Sequence, residues 1–232
     1  MKLSIIIPVY NEKHTILEIL KKVERINEIQ KQIIVIDDGS IDGSYDLIKS
    51  FNFTSDHKII RHKKNTGKGS CIISAQHYVL GDIVIIQDAD LEYDPKNYKD
   101  IIRIFYDQNK KVVYGSRVLN RHRYSQKNFI SNFRIFANHI LTLITNIFFF
   151  QNLTDAHTCY KAFDSKIFKE INLKENDFAF CPEITAKVSK LGFKISEVPI
   201  SYFGRNYKEG KKISFYDGIR AIFVLLKYRI FN

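Results

Sequence analysis

Gly81-Asp82-Ile83-Val84-Ile85-Ile86-Gln87-Asp88-Ala89-Asp90 runs from a short apolar segment directly into two carboxylates. Four consecutive β-branched residues between polar ones read as a buried strand. The two-residue period at the end of a strand points Asp88 and Asp90 to the same side, with only Ala89 between them. Two carboxylates placed this way repel unless a cation sits there, and a hard divalent ion carrying phosphate oxygens suits them. The segment therefore predicts a metal-assisted reaction of a phosphorylated substrate.

On either side of this segment, strand-like and helix-like stretches alternate. Strands are expected at 3–9, 32–36, 58–61 and 82–86, helices at 14–27, 44–51, 69–79 and 95–108, and residues 111–114 continue the sheet. Strands separated by helices of this length imply an α/β class: a doubly wound, mostly parallel sheet covered on both faces. Ligands in such sheets bind beyond the carboxyl ends of the strands, where the polar clusters of this sequence fall. No internal repeat or low-complexity linker interrupts the pattern, and residues 1–232 are expected to form one domain.

Composition narrows the function classes. The 232 residues are 45% hydrophobic and carry a net charge of +11. Residues 1–112 contribute only +1 and residues 113–232 contribute +10, so the second half is the basic half. Such a field suits a nucleic acid, an anionic membrane surface or a phosphorylated acceptor. Cys71, Cys159 and Cys181 lie far apart, match no zinc spacing and are odd in number, which favours a reducing compartment over a disulfide framework. Residues 2–7 are already strand-like, without the pattern of a signal peptide, and a cytoplasmic location is expected. No span of about 20 apolar residues occurs, so no transmembrane helix is expected. Residues 135–150 and 219–231 are amphipathic, suited either to a bilayer surface or to the protein's own core.

Three further clusters carry chemistry. Pro8-Val9-Tyr10-Asn11-Glu12 follows the first strand without a glycine, which excludes a dinucleotide fingerprint. Asp37-Asp38-Gly39-Ser40 follows the second; its carboxylates can accept from base N–H groups and ribose hydroxyls, while Asp42 and Ser44 suit a helix cap. Asn65-Thr66-Gly67-Lys68-Gly69-Ser70 lacks the full spacing of a nucleoside triphosphatase loop, yet Lys68 is placed to meet a phosphate or the nucleotide.

Taken in order, Ser4 to Glu12, Asp37-Asp38-Gly39-Ser40, Asn65 to Gly69 and Asp88-Ala89-Asp90 resemble family 2 glycosyltransferases. Within them the chain is most similar to the dolichol-phosphate mannosyltransferase and polyprenyl-phosphate glucosyltransferase branch. The resemblance implies a GT-A fold with a Rossmann-like nucleotide-sugar-binding half at 1–115. An acceptor-binding half with membrane-associating amphipathic helices is implied at 116–232. It also implies a nucleotide-sugar donor, Mg2+ or Mn2+, and inversion at the anomeric carbon. Pro8, Tyr10, Glu12, Asp37, Asp38, Lys68 and Ala89 would then surround the donor. Asp88 and Asp90 would hold the metal, with Glu92 a candidate third ligand at a position where relatives often carry Gln.

The same resemblance places Arg117, after Gly115-Ser116, and Arg134 at an acceptor phosphate, with Arg121 and Arg123 between them as surface or headgroup contacts. Arg205 and Lys212, with Lys211 beside it, would lie on a loop closing over the donor diphosphate. Asp155 would orient the acceptor, or act as a base toward a hydroxyl acceptor. Asp155, His157 and Cys159 alternate as metal ligands do, but a strand or turn at the sheet edge explains them better than a second metal. Glu183 would contact sugar hydroxyls or favour a helix N-terminus.

The expected activity is transfer of mannose or glucose from GDP-mannose or UDP-glucose to a polyprenyl or dolichyl phosphate, by an enzyme peripheral to the inner face of the membrane. A lipid phosphate is already an anion near neutral pH and needs no strong base. Relatives often carry spanning helices after the catalytic domain; here either the amphipathic segments or a separate membrane-anchor protein would serve. Two alternatives stand beside it: transfer to a saccharide or lipid hydroxyl in cell-surface polysaccharide synthesis, and a non-catalytic basic scaffold. Nucleic acid is not an expected partner, since no basic helix with interleaved base-contacting residues is present.

Overall fold

The apolar runs near the N-terminus and around residue 85 pair side by side at the centre of a seven-stranded sheet. The computed structural model describes residues 1–119, 129–205 and 215–231, without the side chains of 129–134 and 215. Its first half is β1 (Lys2–Val9), α1 (Ile16–Glu24), β2 (Gln30–Asp37), α2 (Ser44–Ser50), β3 (Asp56–Arg61), α3 (Lys68–Gln76), β4 (Ile83–Ile86), a 3-10 turn at Pro95–Asn97, and α4 (Tyr98–Asp107). The second half is β5 (Val112–Ser116), α5 (Phe129–Phe149), β6 (Lys161–Asp164), α6 (Ser165–Glu170), α7 (Phe180–Lys190), β7 (Ser196–Pro199) and α8 (Phe215–Ile230).

The strand order is β3-β2-β1-β4-β6-β5-β7. β1, β2, β3 and β4 are parallel, as the alternation requires. Residues 111–114 continue the sheet as expected, entering β5, though not beside β4. β6 lies between β4 and β5, antiparallel to both, and β7 then pairs parallel with β5. Segment 155–159 is corrected with it: it feeds a central strand, not the sheet edge, and Asp155 and Cys159 are buried.

Alternation along the strands builds a core on each face. Ile5 and Ile7 pack with Ile16, Leu20 and Tyr98 on one side, while Ile6 packs with Ile72, Phe163 and Ile184 on the other. A third apolar layer, Phe149, Ala186, Val224, Leu225 and Tyr228, joins α5, α7 and α8. Among the described residues no helix is long and apolar enough to cross a membrane.

Candidate active site

The carboxyl ends of β1, β2 and β4 open on the same side of the sheet, and the acidic clusters follow them directly. Below the site, Gln87 is fully buried; its side-chain oxygen accepts from the Tyr98 and Tyr160 hydroxyls, both at 2.8 Å, and its amide donates to the Asp88 carbonyl at 3.0 Å. This network fixes the backbone from which Asp88 departs. Leu91 then takes a φ of +65°, an unusual conformation for a residue with a bulky side chain. The turn lets the Glu92 amide donate to Asp90 at 3.1 Å.

Four carboxylates gather here, and two of the chain's own cations offset part of their charge. Lys68, the first residue of α3, pairs with Asp88. Arg205 donates to Asp90 at 2.7 Å and to both oxygens of Glu12 at 3.0 and 3.3 Å. Glu92 accepts from the Arg205 backbone amide at 2.7 Å and from the Tyr202 hydroxyl at 2.8 Å. Glu92 thus tethers the segment on which Arg205 stands. Burial, reinforced by the like charges of Asp88 and Glu92 and opposed by Arg205, pushes the Asp90 carboxyl up to about 7. A concentration of hard oxygen donors that needs internal counter-ions fits a divalent cation of the Mg2+ or Mn2+ kind.

The two aspartates after β2 differ. Asp38 is saturated internally: it accepts from the Thr66 amide and hydroxyl at 3.0 and 2.9 Å and from the Gly67 amide at 2.7 Å, and it contacts His62 Nδ1 at 2.7 Å. It builds the 65–67 loop that presents Lys68. Asp37 accepts from the Ser40 amide at 3.3 Å through Oδ2, while its buried Oδ1 has no hydrogen-bond partner. That oxygen can take a donor from a ligand. Gly39, at φ +71°, sits where a Cβ would come within 2.6 Å of the Lys64 backbone, so only glycine lets the two loops approach. Asp38, His62 and Cys71 lie close enough to share a metal ion. Their hydrogen bonds already account for the cluster, since His62 also reaches the Ser74 hydroxyl at 2.9 Å.

A second charged centre follows β5. Asp155 accepts from Arg117 Nε at 2.7 Å, Nη2 at 2.8 Å and the backbone amide at 3.1 Å. Burial opposes ionisation of Asp155, yet the guanidinium outweighs it and holds the carboxyl below its ordinary range. Glu197 accepts from the amides of Thr154 at 2.7 Å and Asp155 at 2.9 Å, fixing the loop that carries this pair. Tyr202 joins the two centres: its ring lies 5.2 Å from the Arg117 guanidinium and its hydroxyl bonds Glu92.

With this geometry in view, the family model described as glycosyl transferase family 2 matches residues 4–172. The chain belongs to that family. It is 28% identical over 246 residues to the UDP-N-acetylglucosamine--dolichyl-phosphate N-acetylglucosaminyltransferase of Methanococcus voltae, covering 97% of this chain and 95% of the relative. It is 26% identical over 238 residues to the dolichol-phosphate mannosyltransferase of Pyrococcus furiosus, covering 98% of this chain and 64% of the relative. Among solved structures, the glucosyl-3-phosphoglycerate synthase of Mycobacterium tuberculosis with Mg2+ and UDP superposes with a TM-score of 0.70 at 15% identity, covering 100% of this chain and 80% of that one. The neighbouring folds are GT-A glycosyltransferases, and the sheet described above is that fold.

In this glycosyltransferase the structure brings together Glu12, Lys68, Asp88, Asp90, Glu92 and Arg205, and separately Arg117 and Asp155. Pro8, Tyr10 and Ala89 border the same strand ends. Arg121, Arg123, Lys211 and Lys212 lie outside the described residues, as does the side chain of Arg134, which falls in α5. Glu183 belongs to neither centre. It is fully buried and accepts from the Lys174 and Glu175 amides at 2.7 and 2.8 Å and from the Tyr228 hydroxyl at 2.8 Å. Sequence reasoning missed Gln87, Tyr202 and Glu197; a polar residue ending the apolar 83–86 run was the one available signal.

Proposed function

We propose that this glycosyltransferase moves a hexose, mannose or glucose, from GDP-mannose or UDP-glucose to a polyprenyl or dolichyl phosphate, with inversion, at the cytoplasmic face of a membrane. The observation that carries this reading is the commitment of the acceptor-side carboxylates. Asp155 is engaged by Arg117 and Glu197 by backbone amides, so neither is poised to deprotonate a hydroxyl. A half-buried guanidinium in that place suits an acceptor that is already an anion. The dolichyl-phosphate acceptors named for the M. voltae and P. furiosus enzymes support the same choice.

Asp88 and Asp90 would hold Mg2+ or Mn2+, which as a Lewis acid stabilises the charge growing on the leaving diphosphate. Asp37 Oδ1 takes a donor of the base or ribose. Arg205, freed from Asp90, turns to the diphosphate oxygens, with Glu92 keeping its backbone close. Arg117, oriented by Asp155, holds the acceptor phosphate so that its oxygen faces the anomeric carbon opposite the leaving group. Tyr202 stands between the two phosphates' cations and sets their spacing.

Sugar transfer from radiolabelled UDP- and GDP-sugars to polyprenyl phosphate, with and without Mg2+ or Mn2+, tests this. Metal-dependent label in organic-extractable lipid is expected from one donor, with turnover lost in Asp90→Asn while the melting curve persists. Label confined to water-soluble product would overturn the phosphate acceptor in favour of a hydroxyl. Absence of transfer from every donor would leave the non-catalytic scaffold.

A further inference from the structure

Glu183 stands on α7, outside both charged centres, fully buried and with both carboxylate oxygens turned to the segment before its helix. Oε1 accepts from the Lys174 amide at 2.7 Å and Oε2 from the Glu175 amide at 2.8 Å. One turn on, Lys187 donates to Glu183 Oε1 at 2.6 Å and also bonds the Asn172 carbonyl. The pair thus clasps residues 172–175 by three backbone groups. Burying a carboxylate is costly without donors, and the donors here are main-chain amides, so what Glu183 fixes is backbone.

That backbone carries the start of α3. The helix has Gly67 at its N-cap and no side-chain cap, so its first amides need acceptors from elsewhere. The Asn176 carbonyl supplies one, accepting from the Ser70 amide at 2.9 Å. The approach leaves no room for side chains: a Cβ on Gly67 would lie 2.4 Å from the Asn176 oxygen, and one on Gly69 2.0 Å from the Glu175 oxygen. Between these two glycines is Lys68. Its ammonium pairs with Asp88 and lies 5.9 Å from the ring centroids of both Phe178 and Phe180, further along the same segment. Residues 174–180 therefore seat and flank Lys68, and Glu183 fixes the first two of them.

We infer that Glu183 is a positioning residue for the donor site, holding residues 174–176 so that Lys68 stands at Asp88, where the phosphate oxygens of the donor would arrive. This rests on the donor-side reading of Lys68 and Asp88 above and deepens it. A glutamine has one acceptor oxygen and an NH2 group that cannot accept, so Glu183→Gln releases one of the two amides while keeping the shape of the side chain. Tyr228→Phe is the control. The Tyr228 hydroxyl reaches the Glu183 and Glu175 carboxylates from α8, but none of the amides of the segment.

Reductive methylation of the full chain, followed lysine by lysine in peptide mass spectra, tests the placement of Lys68 without any ligand. Lys31, buried on β2 and bonded to the Glu24 and Ile26 carbonyls, reports whether the fold is intact. In Glu183→Gln, Lys68 should be modified about tenfold faster with Lys31 unchanged, and in Tyr228→Phe neither rate should move. UDP titrated in the presence of Mn2+ gives the second readout. Affinity should fall about tenfold in Glu183→Gln, yet in a Lys68→Met background the same substitution should cost nothing further, because a positioning residue acts through the residue it positions. Unchanged labelling of Lys68, or an equal loss of UDP affinity with and without Lys68→Met, would overturn the inference. Should Lys31 also quicken in Glu183→Gln, Lys187→Met decides, since it loosens the same segment at Asn172 and leaves the two amide bonds in place. Faster labelling of Lys68 alone in that variant supports the inference, and an unchanged rate overturns it. A wild-type chain that does not bind UDP with Mn2+ refutes the donor reading, while the labelling of Lys68 still decides the role of Glu183.

Discussion

Arg205 bridges Glu12 and Asp90 beside Glu92, so a cation entering at Asp90 must displace it, and this gives it opposite effects on two ligands. A guanidinium 2.7 Å from Asp90 repels an incoming metal and competes for its oxygens. Once displaced, the same guanidinium favours a bound diphosphate. Arg205→Gln should therefore bind Mn2+ alone about tenfold more tightly, roughly 1.4 kcal/mol, and bind UDP in the presence of Mn2+ more weakly. Titration calorimetry of the two ligands checks it, and a change of the same sign for both would refute the counter-ion role. The elevated Asp90 carboxyl adds a pH dependence. With the group at about 7, a proton competes with the metal below neutrality, so Mn2+ affinity should rise about tenfold from roughly pH 6 to pH 8, with proton release. The sign for stability is the reverse. A carboxylate raised from 3.8 binds more protons folded than unfolded, so the metal-free protein loses stability from this group as pH climbs toward 7. Asp88 and Asp90 were legible as two carboxylates just past an apolar run, but the strand's period does not place them: β4 ends at Ile86 and the pair leads into the turn at Leu91. Arg205's partner was not legible, since 115 residues separate it from Asp90 and nothing in the sequence ranks one long-range ion pair above another.

At the scale of elements, what could be read followed segment length. β1, β2 and the helices between them carry enough residues for a period to show, and the first four strands fall where the alternation puts them. β6 and β7 have four residues each, too few to distinguish period two from chance. β6 is further disguised because it opens with Lys161, which reads as surface but is fully buried. Its ammonium donates to the Ala156 carbonyl at 2.8 Å and lies 3.7 Å from the Tyr114 ring, while burial pushes its pKa down to about 8. α8 was legible as amphipathic but not as to what each face meets. Its inner face is fixed by Tyr228, whose hydroxyl donates to Glu183 at 2.8 Å and lies 3.3 Å from Glu175. Removing that hydroxyl leaves a buried carboxylate short of a donor. Tyr228→Phe should lower the unfolding free energy by about 1–3 kcal/mol in a urea titration, without altering UDP binding. An unchanged midpoint would mean that α8 is held by its apolar contacts alone.

For the molecule as a whole, the position of β6 makes the two halves mutually dependent. Cut after residue 115, the N-terminal half would retain β4 and most of β5 but lose the strand that separates and pairs with both. It would also expose the core face formed by Ile6, Ile72 and Ile86, which is covered by Phe163, Phe168, Phe180 and Ile184 from the second half. An apolar strand edge and an uncovered sheet face together predispose a fragment to aggregate. Fragment 1–115 should therefore fail to give a cooperative melting transition, even though it contains the nucleotide-side clusters. The intact chain should unfold in one calorimetric transition, and Mn2+ with UDP should shift that transition upward as a unit, because ligands of the native state stabilise everything that unfolds with it. Two transitions, only one of them moved by Mn2+ and UDP, would show instead that the nucleotide half is stable by itself and that β6 docks onto a sheet already formed.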